Sequence, residues 1–347
     1  MSTVQERPQA RPRIRARRVV QATLGLAAAA ALLWWGLPHF AQTTWGEVWE
    51  VLRGVHPATA LLYLAMVLAG LYCYTFVMTG AMPGLSHPRA LILNLCGSSV
   101  SNLLPGGGAV GLAATYTIAK SWGFGAARVT TMAVVTGVWN VLARAALPII
   151  AIVGLSWGAT DLPPRMREAA WAAIITGGLV LAAFVLAVAT DRGAAVAGRV
   201  IDRGVRLVRR GHDDKVERAL VDLRGRIAET VSTGWLSMTL GMVGFFGLYY
   251  VLFVLCTSAT GTELPFGQLF AAYAIGRLLT AVGVTPGGLG VTETGTAAAL
   301  VAWGADPAAA MAGVVLFSVF THLMEVPLGA IGWLAWSLTP KVTQRQS

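Results

Sequence analysis

The chain has 347 residues, 56% of them hydrophobic and 12% charged, with a formal net charge of +10. Soluble domains carry about 25% charged residues, so this composition excludes an ordinary soluble globular protein. The apolar residues gather in runs of about 20, enough to cross a bilayer core of about 30 Å. The arginines sit just outside those runs, where positive charge marks the cytoplasmic side. That placement accounts for the basic balance, and no nucleic-acid partner is expected. Cys73, Cys96 and Cys256 lie in apolar surroundings without a CxxC or Cys/His spacing. They read as inert buried thiols, with no disulfide, metal or cofactor expected.

Residues 1–18 are polar and rich in Arg and read as a cytoplasmic arm; the alternative is the n-region of a secretory signal. Val19 to Leu37 is long for a signal's apolar region and ends near Trp34-Trp35, which suits a retained first span. Residues 38–56, with Trp45, Trp49, Glu47 and Glu50, suit an outer interfacial segment. Pro57 to Met82 is a second span. Leu91–Leu104 is apolar but only about 21 Å long at 1.5 Å per residue. It is stopped by Pro105-Gly106-Gly107-Gly108, after which Val110–Ala119 forms a second short helix ending at Lys120. Val129 to Leu155 and Ala169 to Ala189 are further full spans. In 191–233 the spacing of Val, Leu and Ile among many arginines predicts two amphipathic helices against the inner leaflet, or a solvated linker. Gly234 to Ser258 is the next span. Phe266–Val284 and Val291–Trp303 repeat the short-helix pattern around Thr285-Pro286-Gly287-Gly288, and Pro307 to Leu338 is the last span.

The expected fold is all-α: a polytopic bundle of about six full spans plus two re-entrant helical hairpins, with residues 339–347 as a cytoplasmic tail. The unit of span, hairpin, span occurs at 57–155 and at 234–338. The Lys/Arg count places both termini inside, so the first unit begins outside and the second inside. That inverted relation is the one from which alternating access to a midplane site can be built. The alternative is an eight-span bundle in which each hairpin is two ordinary spans.

Broken helix is tolerated at membrane depth only where protein buries it or water reaches it. The candidate ligand-binding residues are therefore those of the two breaks, Pro105, Gly106, Gly107, Pro286, Gly287 and Gly288. The helix after each break offers free N–H groups and a positive dipole end to an anion; the alternative is a loop packed by small residues. Arg144 inside a span costs about 2.5–3.5 kcal/mol on insertion scales and needs a cavity or a partner, for which Glu293 is the acidic candidate. Arg277, His322 and Glu325 join the set. A structural ion pair between helices is the competing account of these charges. Asn94, Asn102 and Asn140 suit interhelical hydrogen bonds as well as ligand contacts, and Lys120 suits an interface position. No hydrolase elbow, zincin, Walker or dinucleotide motif occurs, so no enzyme and no ATP-driven pump is expected.

At Leu104-Pro105-Gly106-Gly107, Arg144, and Thr285-Pro286-Gly287-Gly288-Leu289-Gly290-Val291-Thr292-Glu293 with Gly304 beyond, the chain resembles the flippase-like membrane domain of the lysylphosphatidylglycerol synthases, over about residues 20–338. It departs from that pattern where Val110, Gly111 and Ala114 stand for an acidic residue and an Arg, and where His322 stands for an Arg. The resemblance implies lipid handling. Only Lys341 to Ser347 follow the last span, so it gives no support to lipid aminoacylation. The expected function is a flippase or transporter of an anionic lipid or polyprenyl-phosphate-type amphiphile, in a bacterial-type plasma membrane. The alternative is an accessory protein that presents lipid to a separate membrane-associated synthase or glycosyltransferase through the 191–233 segment. Candidate partners are thus a membrane lipid, such an enzyme, and a second copy of the chain.

Overall fold

The structure, a computed structural model, describes residues 46, 50, 53–103, 107–157, 175, 214–280 and 290–341. The expected arm, the span at 19–37, nearly all of the span at 169–189, the first amphipathic helix, and Pro105, Gly106, Pro286, Gly287 and Gly288 lie outside these residues.

Every regular element among the described residues is helical. In chain order they are α1 Pro57–Ala81, α2 His87–Leu103, α3 Gly107–Ser121, α4 Ala126–Trp157, α5 Asp214–Ala259, α6 Phe266–Leu279, α7 Val291–Ala302, α8 Pro307–Ser318 and α9 Glu325–Leu338, with a π-helical turn at Val319–Leu323 between the last two. Helix starts follow sequence signals. Pro57 and Pro307 occupy first-turn positions, where no backbone donor is needed. His56 Nδ1 accepts from the Ala58 amide and Asp306 Oδ1 from the Ala309 amide, each capping its helix.

Four segments are long and apolar enough to cross a membrane: Pro57–Ala81, Ala126–Leu155, Gly225–Ala259 and Pro307–Leu338. These are four of the six expected spans; the other two fall outside the described residues. Between them lie the two helix pairs. α2 and α3 have 17 and 15 residues, and α6 and α7 have 14 and 12. At 1.5 Å per residue none reaches the roughly 30 Å of a hydrocarbon core. Each pair is antiparallel. Gly97 and Ser101 on α2 meet Gly111 and Gly107 on α3, and Gly276 and Leu279 on α6 meet Thr296 and Gly295 on α7.

One boundary differs from expectation. The span expected to begin at Gly234 has no boundary there, because α5 runs unbroken for 46 residues. Only the polarity of the sequence changes at Gly234, which packs closely on α1. A Cβ on Gly234 would stand 2.4 Å from the Gly80 carbonyl oxygen, and one on Gly241 2.8 Å from the Cys73 carbonyl oxygen. Small residues let the α1 and α5 backbones approach, and in lipid that contact replaces a hydrophobic driving force. Gly234 is a packing residue of the α1–α5 seam.

The packing partners recur between the halves. α1 lies along α5. α2 packs on α9, as α6 packs on α4; α3 packs on α4, as α7 packs on α8. The loops recur as well. Gly84-x-x-x-Pro88 precedes the first helix pair and Gly261-x-x-x-Pro265 the second. Trp122-Gly123 follows the first pair and Trp303-Gly304 the second, with φ of 89° and 95° at the two glycines. Both close their helix alike, with Phe124 N–H on the Ala119 carbonyl and Ala305 N–H on the Leu300 carbonyl. Those positive φ values require glycine. From Pro105 to Ser337, a residue in the first unit and its counterpart in the second stand 181 positions apart.

Candidate functional site

Arg144 emerges from α4 toward the second helix pair. Its Nε donates to Asn140 Oδ1 at 2.9 Å, and one terminal nitrogen donates to the Arg277 carbonyl at 3.4 Å and to Thr280 Oγ1. These acceptors close α6, where carbonyls lack helical partners and the dipole is negative. A cation is favoured there. The position 181 residues on is Glu325, on α9. Its carboxylate accepts from Asn102 Nδ2 at 2.6 Å, at the end of α2. Each last span thus holds the end of the other half's first hairpin helix, one through an Arg and one through a Glu. A carboxylate facing the negative end of α2 would be repelled, and the Asn102 amide between them supplies the donor.

Arg277 and Glu293 form the second group. Glu293 is 1% exposed and Arg277 6%. Glu293 Oε2 accepts from the Gly290 amide at 2.5 Å, so the side chain caps its own helix. Its other oxygen accepts from Ser318 Oγ. His322 Nδ1 lies 3.4 Å from that same Oγ and 3.2 Å from Thr321 Oγ1. The Arg277 guanidinium lies 5.4 Å from the Tyr273 ring centroid and 5.1 Å from that of Phe317, a stabilising arrangement for a desolvated cation. Among the described residues Arg277 Nε and Thr292 Oγ1 have no hydrogen-bond partner. The cavity left between these groups is about 10 Å³, room for one water molecule.

The expected pairing of Arg144 with Glu293 is therefore not found. Glu293 is engaged by Gly290 and Ser318, and Arg144 by Asn140 and the end of α6. Among the described residues no carboxylate pairs with either arginine. The set Arg144, Arg277, Glu293, His322, Glu325, Asn102 and Asn140 is carried by α2, α4, α6, α7, the π-helical turn and α9. Gly107 starts α3 and accepts from Ser101 Oγ through its carbonyl at 3.2 Å. Lys120 is exposed in the last turn of α3.

A separate groove of about 290 Å³ opens between α1, α2, α3 and α4. Tyr74, Asn94, Ser98, Ser101, Asn102, Thr115 and Thr136 supply its polar lining, with no charged residue among the liners. Sequence reasoning missed this groove, and missed Ser318 and Thr280 as partners of the charges. Signals existed for both. Ser318, Thr321 and His322 recur at helical spacing in an otherwise apolar run, and small residues gather on both α2 and α3.

No curated protein matches the chain. The family model described as lysylphosphatidylglycerol synthase TM region matches residues 22–329, and the chain belongs to that family.

Proposed function

We propose that this multi-pass membrane protein, whose family links it to lipid metabolism, carries an anionic amphiphile, of the phospholipid or polyprenyl-phosphate kind, across the bilayer. The observation that carries the reading is the pair of guanidiniums, Arg144 and Arg277, set within the bundle without a carboxylate partner among the described residues. Such charges are costly at membrane depth and mark ligand or ion pathways. Arg277 lies in the last turn of α6, and Arg144 donates to that same helix end. The exchanged packing of the halves supports an inverted repeat with two re-entrant hairpins, and the Lys/Arg placement in the sequence favours cytoplasmic termini in a plasma membrane. In that arrangement a head group passes between the halves while the tails stay in lipid. No bond is made or broken, so the protein acts as a carrier and not as an enzyme.

Reconstitution in liposomes with fluorescent anionic lipids tests it. The wild-type chain should move at least one such lipid faster than empty vesicles do. Arg144→Gln and Arg277→Gln should each slow it by about tenfold, the loss of one charge-assisted hydrogen bond. Equal rates with and without protein overturn the reading.

A second reading is favoured by the length of α5. At 1.5 Å per residue its 46 residues extend about 69 Å, well beyond a 40–45 Å bilayer with its head groups. The charged sequence from Asp214 to Arg226 then stands outside the membrane. It is a docking surface for a membrane-associated synthase or glycosyltransferase to which the chain presents lipid. Replacing 214–224 with an uncharged helix should abolish capture of such an enzyme and spare lipid movement; unchanged capture removes this reading.

A further inference from the structure

The groove and the buried charged cluster are the same place in the two halves. At 181 positions' separation, Gly111, Leu112, Thr115, Ala133, Thr136 and Gly137 line the groove, and Thr292, Glu293, Thr296, Val314, Phe317 and Ser318 line the cluster. Four of the six second-half residues are plainly larger: Thr for Gly111, Val for Ala133, Phe for Thr136 and Ser for Gly137. Those side chains, with Tyr273, Arg277 and His322, occupy the second site, whose cavity is about 10 Å³ against about 290 Å³ for the groove. The halves are therefore complementary in content. One is closed and charged, the other open and neutral.

The open half has a defined hydrogen-bonding character. The hydroxyl protons of Ser98, Ser101, Thr115 and Thr136 are engaged by Asn94 Oδ1 and by the carbonyls of Gly107, Gly111 and Met132. What these side chains still offer is oxygen lone pairs. Asn102 is held by Glu325. The Asn94 Nδ2 hydrogens are not so engaged, so the groove offers donors as well as acceptors and suits a ligand whose groups do both. The positively charged donors are disfavoured, because no carboxylate lines the groove and an unpaired cation at membrane depth is costly. Uncharged hydroxyls remain. The volume lies at the small end of ligand pockets and suits one sugar or glycerol unit.

We infer that the groove between α1, α2, α3 and α4 binds the uncharged, hydroxyl-rich part of a lipid head group, a sugar or glycerol unit, with Asn94, Ser98, Thr115 and Thr136 as its specificity-determining residues. This deepens the carrier reading and rests on it for the lipid: the arginines take the anionic part and the groove reads the hydroxyls. Tyr74, which lines the groove and neighbours Asn140 and Arg144, joins the two.

The test uses the full chain in detergent micelles, exposed to an equimolar mixture of phosphatidylglycerol and phosphatidylmethanol of the same acyl chains, which share the phosphodiester and differ in the head-group hydroxyls. Retained lipid is counted by native mass spectrometry. Phosphatidylglycerol should be retained about tenfold over phosphatidylmethanol, as two further hydrogen bonds would give. The double variant Ala133→Val/Thr136→Phe, which installs the residues of the other half, should bring the ratio to about one. Should that variant unfold, Asn94→Leu is measured in its place, with a fall of about threefold expected for one of the two bonds. A wild-type ratio near one, or a ratio untouched in the folded variant, overturns the inference. Lipid movement is measured separately. A preserved ratio without movement removes the carrier reading and leaves the groove; movement without the ratio does the reverse.

Discussion

Glu293 owes its position to two donors, and each can be removed singly. The Gly290 amide is fixed by the backbone, but Ser318 Oγ is a side chain. Ser318→Ala leaves a buried carboxylate with half of its bonding unmade. An unsatisfied buried group costs about 1–3 kcal/mol, more when charged. The expected result is a fall in the thermal unfolding temperature in detergent, and Glu293→Gln, which keeps the shape without the charge, should lose less. If Ser318→Ala unfolds with the wild type, the bond to Glu293 contributes nothing. Asn102 invites a different change. Asn102→Asp sets a second carboxylate against Glu325 at 2.6 Å, where like charges repel in a low dielectric. The end of α2 should then come away from α9, read as faster hydrogen exchange over residues 98–103, and Glu325→Gln in the same chain should restore protection. None of these partners was legible alone. Asn102 and Glu325 are 223 residues apart, and nothing in local spacing joins them. What was legible was that each charge within an apolar run needed some partner. The pairing of Arg144 with Glu293 failed because a helix-capping amide and a serine stood closer to the carboxylate.

Helix positions were easier to read than helix contacts, for a physical reason. Hydrocarbon thickness fixes the length of an apolar run, so Pro57–Ala81, Ala126–Leu155 and Pro307–Leu338 fall close to the runs that announce them. The short pairs were legible from the same length rule, although α3 already begins at Gly107, within the expected stop. Length rules say nothing about a helix that continues into water. α5 passes from the charged 214–233 stretch into its span without a break, because only the polarity changes there and not the backbone geometry. The π-helical turn at Val319–Leu323 is invisible for a similar reason. It changes the register by which Ser318 and His322 face the cluster, yet no residue type announces it. The α1–α5 seam gives this scale its test. Gly234→Leu places a side chain against the Gly80 carbonyl, already 2.4 Å from an added Cβ. Backbone must move, so overpacking of about 1–3 kcal/mol or more is expected, read as a lowered unfolding temperature. Gly247→Leu, where an added Cβ meets nothing within 4 Å, is the control and should unfold within a degree or two of wild type.

At the scale of the molecule, the two halves share an order of elements, a set of loops and a set of exchanged contacts. They differ in where the charge is. Arg277 and Glu293 belong to the second hairpin; Leu112 stands where the first would carry the counterpart of Glu293. The cluster at the second hairpin is therefore charged, while the groove at the first is lined by neutral residues. Whether the halves are inverted across the bilayer is a question of sidedness, and the loops that follow the two hairpins answer it. Ala127 and Ala308 are counterparts, 181 positions apart, and both are exposed. In a chain with Cys73, Cys96 and Cys256 replaced, Ala127→Cys and Ala308→Cys can each be offered a membrane-impermeant maleimide. With re-entrant hairpins and inverted halves, Ala308→Cys reacts in intact cells and Ala127→Cys only after the membrane is opened, since basic residues flank the first loop and acidic ones the second. Labelling of both from one side would mean parallel halves, and a head group could then not be passed from one to the other by the rocking that an inverted pair allows.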